Sequence, residues 1–208
     1  MNLNEIKIEY VISFSDALFA FSITFMALFI QIPTFSSNIS DSELTQRLGQ
    51  LLLPGIIHYI VSFMVVGMYW IGYHEIFEHI RRADITLVLI NLLFLLFIAL
   101  VGYFTGLLTT YDTHRIVVIY FSGIMAASGF VLCLIWGYAT HNRRLVDQDI
   151  QDHVIRYFLN RSFVSPLIFL TSVGISFINV QAAQYFWILI LPANIIIYMK
   201  HIPHLRRR

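Results

Sequence analysis

The chain has 208 residues, 58% of them hydrophobic and 12% charged, and a mean hydropathy of +0.75. An ordinary soluble domain carries about 25% charged residues, so this composition argues against a globular enzyme and for an all-α integral membrane protein. The formal charge of +1 argues against a nucleic-acid partner, and the single cysteine, Cys133, excludes an intrachain disulfide.

Six apolar stretches are expected to cross the membrane as one domain over 1–208: about 10–32, 51–73, 86–109, 116–139, 162–180 and 182–200. The first carries Ser15 and Asp16 inside its opening turns, and beyond them only Ser22, Thr24 and Gln31 are polar. An ionised carboxylate costs about 2.5–3.5 kcal/mol at a helix centre, less near an interface. A helix that keeps one there turns it toward partner helices or water. The acid and the length of this run argue against a cleavable signal peptide, so it is expected to remain as the first span.

The second stretch ends in Trp70-Ile71-Gly72-Tyr73-His74, and the third opens with Asn91-Leu92-Leu93 near its start. Asp16, His74 and Asn91 therefore fall at a similar depth, on three different helices, where such groups serve as interhelical hydrogen-bonding partners. After the fourth stretch, His141 to Arg161 is the longest polar segment, and its Leu145, Ile150, Val154 and Phe158 suggest an interfacial helix continuing from that span. Pro166 and Pro192 sit inside the last two spans, where neighbours can satisfy the freed carbonyls.

The basic residues set the orientation. Lys7, Arg81, Arg82, Arg143, Arg144, Arg156, Arg161, Lys200, Arg206, Arg207 and Arg208 fall on one side of six spans, and only Arg47 and Arg115 on the other. The positive-inside rule then places both termini in the cytoplasm. Two further motifs carry little. His74 and His79 flank two glutamates as in a zinc helix, but a spacing of five does not stack ligands on one face. No metal site, cofactor, activated nucleophile or phosphate loop is expected.

On these residues the chain resembles a bacterial-type member of the transmembrane protein 175 family, endosomal and lysosomal potassium channels. The family pattern is Arg, three residues, Phe-Ser-Asp-Gly, then an apolar run with Ile-Thr and a closing Pro. Phe14, Ser15, Asp16, Phe19, Ala20, Ile23, Thr24, Leu28 and Pro33 fall on it, as do Trp70 and His74 in the second span and Asn91, Leu92 and Leu93 in the third. The chain departs from the pattern at Tyr10, where the family has arginine, and at Ala17, where it has glycine. Gly102-Tyr103-Phe104-Thr105 stands in place of Pro-Phe-Pro-Thr.

The resemblance implies a homotetramer with the first helix of each subunit lining a central pore. It implies potassium permeation without a re-entrant loop, in a plasma or inner cell membrane. Val101-Gly102-Tyr103 is the one fragment similar to a potassium-channel filter, and it lies inside a continuous span. The family's constriction falls on Phe21, with Thr24 and Leu28 as further pore positions; Ser15, Asp16, His74 and Asn91 would form a structural polar network. Read from the residues alone, without the resemblance, the Phe21 stripe is expected to pack as ordinary core, with Thr24 bonded back to the Ala20 carbonyl. The alternative to a channel is a secondary transporter or proton-coupled cation exchanger, which would want midplane ionisable groups or inverted repeats.

Overall fold

The computed structural model describes residues 6–29 and 39–205. It is built of helices: α1 (Ile8–Met26, continued by a 3₁₀ turn over Ala27–Phe29), α2 (Asp41–Phe77), α3 (Ile85–Thr110), α4 (Arg115–Thr140), α5 (Asp152–Ser176), α6 (Val180–Phe186) and α7 (Ile190–Leu205). Six of the resulting rods, with α6 and α7 counted as one, are long and apolar enough to cross a membrane. The chain is a multi-pass membrane protein. The end of the expected first span, with Gln31 and Pro33, lies outside the described residues.

Helix α4 is the centre of the bundle, packed between α3 and α5. It buries Phe121, Met125, Ile135 and Trp136 completely. At Gly129 it meets Pro166 of α5 so closely that an added Cβ would lie 2.4 Å from the proline ring and 2.9 Å from the Tyr69 hydroxyl. Only glycine fits there. Tyr69 in turn donates to the Met125 carbonyl at 2.6 Å and ties α2 to α4.

Both ends of the bundle are fastened by their turns. At one end Ile6 pairs with Ala83 and Ile80 with Val146, so the residues just before α1, the α2–α3 turn and the α4–α5 connection lie together. Arg81 meets Asp147, Arg143 meets Asp152, and Arg144 meets Asp84 in this cluster. The opposite end has Arg115 donating to the Ser176 carbonyl at 3.1 Å and Gln184 donating to that of Asp112 at 2.6 Å.

Several helix limits differ from the sequence-based expectation. Helix α2 starts at Asp41, not near 51, because Ser40 caps it and Asp41 and Glu43 suit the positive end of its dipole. Hydropathy does not register that polar opening. At about 1.5 Å per residue, its 37 residues run well past the ~30 Å hydrocarbon core.

The segment after α4 is not an interfacial helix. The helix ends at a 3₁₀ turn, where Asn142 and Arg143 adopt φ of 53° and 51°. Leu145, Val146 and Ile150 then fold in as a buried loop. Val154 and Phe158 belong to α5, which begins at Asp152, ten residues before the expected span. In the last span a 3₁₀ turn over Trp187–Leu189 separates α6 from α7. Pro192 lies just beyond it and cannot donate to the Ile188 carbonyl.

Candidate functional site on the first helix

Helix α1 has two distinct faces. Val11, Ser15, Phe19, Ser22 and Met26 are buried, at steps of four, four, three and four. That is the period of a helix edge laid against neighbours, here α2 and α3. Phe19 lies 5.8 Å from both the Tyr73 and Phe94 rings.

The polar part of this face centres on Ser15. Its hydroxyl donates to the Val11 carbonyl at 2.8 Å, and its oxygen accepts from the Tyr73 hydroxyl at 2.8 Å and the Asn91 amide at 3.0 Å. One donor and two lone pairs are all the capacity a hydroxyl has. Asp16, the next residue, forms a second centre. One carboxylate oxygen lies 2.8 Å from the Trp70 indole nitrogen and 2.7 Å from His74 Nε2.

The structure thus brings together Ser15, Asp16, His74 and Asn91, from three helices, in two adjoining clusters. Trp70 and Tyr73 complete them. Tyr73 went unnoticed in the sequence, although a tyrosine in a span needs a partner for its hydroxyl. Of the three hydrogen bonds at Ser15, one stays within α1 and the other two link it to Tyr73 of α2 and Asn91 of α3.

The opposite face of α1 is largely exposed among the described residues. Tyr10, Phe14, Phe21 and Leu28 are exposed, Phe21 by 60% and Leu28 by 74%. Ala17 and Thr24 are exposed with them. The six residues repeat at steps of four, three, four, three and four, the heptad spacing of a seam between packed helices. Phe21 and Phe25 stack at 5.2 Å along its edge. The Thr24 hydroxyl donates to the Ala20 carbonyl at 2.8 Å, while the stripe itself is exposed and not part of the chain's core. Thr24 keeps its oxygen lone pairs on the exposed face.

Elsewhere, the Val101-Gly102-Tyr103 fragment lies within α3 with no break. An added Cβ at Gly102 would make ordinary contact with Met26 and Phe29, 3.4 Å from each. His74 and His79 serve different neighbours: His74 meets Asp16, and the His79 ring packs 5.1 Å from that of Phe158. Among the described residues, no three His, Cys, Asp or Glu side chains gather into a metal site.

Residues 10–101 match the family model described as endosomal/lysosomal potassium channel TMEM175. A potassium channel of Streptomyces collinus is 29% identical over 172 residues, covering 80% of this chain and 81% of the relative. One from Chamaesiphon minutus is 28% identical over 171 residues, 81% and 83% of the two chains. The human endosomal/lysosomal proton channel TMEM175 is 29% identical over 154 residues, 74% of this chain but 30% of that longer protein. The crystal structure of a lysosomal potassium-selective channel TMEM175 homolog from Chamaesiphon minutus superposes with a TM-score of 0.78. The superposition covers 94% of this chain and 98% of that one at 24% identity, and establishes the shared fold.

Proposed function

We propose that the chain is a member of the TMEM175 family and that it forms a potassium-permeable cation channel without a re-entrant loop. The observation that carries the reading is the exposed α1 stripe, whose heptad spacing suits contact between copies around an axis. Four subunits would close the pore. Phe21 would constrict it, with Thr24 and Leu28 adding rings of hydroxyl and apolar groups. Apolar rings gate by dewetting, and a hydroxyl ring offers ions a weak oxygen site. A phenylalanine constriction gives low resting conductance.

In this reading Ser15, Asp16, His74 and Asn91 hold α1 against α2 and α3, so that the stripe faces the axis. Potassium is the cargo, and the channel acts as no enzyme and uses no cofactor. The charge distribution supports an orientation with both termini in the cytoplasm, and the reading puts the channel in a plasma or inner cell membrane.

The test is the reversal potential of purified protein in planar bilayers under a potassium gradient, with sodium opposed. A reversal near the potassium equilibrium potential supports the reading, and silent bilayers refute it. The proton-channel name of the human relative favours a second reading, proton permeation along the same stripe. A current that follows the proton gradient and ignores potassium would establish that instead.

A further inference from the structure

Glu75 of α2 forms an ion pair with Arg161 of α5. The arginine side chain is 12% exposed and the glutamate 24%, so water does little to weaken their attraction. The Tyr157 hydroxyl lies 3.4 Å from the guanidinium. Gly72, Ser162, Ser165 and Asn194 line the crevice that holds the pair. Helix α5 packs mainly on α4, α6 and α7, and α2 mainly on α3 and α1. The ion pair is therefore a direct link from the outer helices to α2.

Its position gives that link a consequence. Glu75 follows His74, and consecutive residues leave a helix about 100° apart. His74 reaches one way to Asp16 on α1, while Glu75 reaches another way to Arg161 on α5. At one level, α2 is held from both sides.

We infer that Glu75 and Arg161 are positioning residues. Their pair sets the rotation of α2, and through His74 and Asp16 it sets how α1 presents its exposed stripe. Neither residue touches that stripe. The pair governs how often the pore is open, while the open pore's conductance and ion preference belong to α1. The current readout rests on the channel reading above; a second readout does not.

The test compares Glu75→Gln, Arg161→Gln, the neutral pair E75Q/R161Q and the swapped pair E75R/R161E, each reconstituted for single-channel recording. In a parallel series each carries Ala17→Cys on the α1 stripe, and the rate at which a thiosulfonate reagent modifies that thiol is measured. The single variants should change open probability and thiol rate several-fold, with conductance and reversal potential unaltered. The swapped pair should restore both. Should the single variants not assemble, the neutral pair leaves no unpaired charge and should show the same change.

Assembled variants with wild-type open probability and thiol rate would overturn the inference, as would a swapped pair that restores neither. If the wild type carries no current, the channel reading fails alone, and the thiol rates still decide on the pair.

Discussion

Tyr73 donates to Ser15 at 2.8 Å, and that bond completes the capacity of the Ser15 hydroxyl, which already donates to Val11 and accepts from Asn91. Ser15→Ala strands two buried donors, each costing about 1–3 kcal/mol when left without an acceptor. Tyr73→Phe removes one donor and leaves one lone pair unfilled, so its cost should be smaller. Thermal denaturation in detergent, followed by loss of the monodisperse peak, should rank Ser15→Ala below Tyr73→Phe and both below wild type. Equal losses would show that Ser15 is not the centre of the cluster.

Asp16 accepts from both Trp70 and His74. Asp16→Ala removes both contacts, whereas Trp70→Phe removes one and keeps an aromatic ring. The yield of assembled protein on size exclusion should fall further for Asp16→Ala. Normal assembly with only altered ion preference would make Asp16 a pore residue.

Phe21→Ala should raise the current, because it removes the bulkiest ring from the proposed constriction. Thr24→Ala should shift the potassium-to-sodium permeability ratio by removing a hydroxyl that ions could meet. Unchanged current and reversal potential in both variants would mean the pore does not run along the stripe.

Asp84 caps α3 through the Leu87 amide at 2.8 Å and also meets Tyr138 and Arg144. Partial burial pushes its pKa up, but the Leu87, Tyr138 and Arg144 contacts outweigh this and hold it below the ordinary carboxylate value. A depressed folded-state pKa contributes stability that is present above the unfolded value and lost as pH falls through the folded one. Acid loosening is therefore expected below about pH 4. Asp84→Asn keeps a capping side chain and should flatten that part of the melting-temperature profile. An unchanged acid slope would remove Asp84 from the account.

The α3–α4 turn and the α4–α5 loop lie at opposite ends of α4. If both termini are cytoplasmic, as proposed, a cysteine at Thr113 should react with an impermeant thiol reagent applied to intact cells, and one at Asp149 should not. Cys133 is buried and should stay silent. The reverse pattern would invert the orientation.

The number of spans, the charge bias and the depth of Asp16, His74 and Asn91 were legible in the sequence, because each follows from composition counted along a line. The family motif lay in the same residues. Other features were decided by distances between helices. The early starts of α2 and α5 depend on capping and on a loop folding inward, which hydropathy cannot weigh. Tyr73 and the Glu75–Arg161 pair are invisible until three helices are set side by side. The two faces of α1 are both largely apolar, so no count of residues separates the buried one from the exposed one. Packing against α2 and α3 makes that choice, because it is the Ser15 face that finds hydrogen-bonding partners there. Turned outward, Ser15 would still bond the Val11 carbonyl of its own helix, but the buried Tyr73 and Asn91 donors would lose their acceptor.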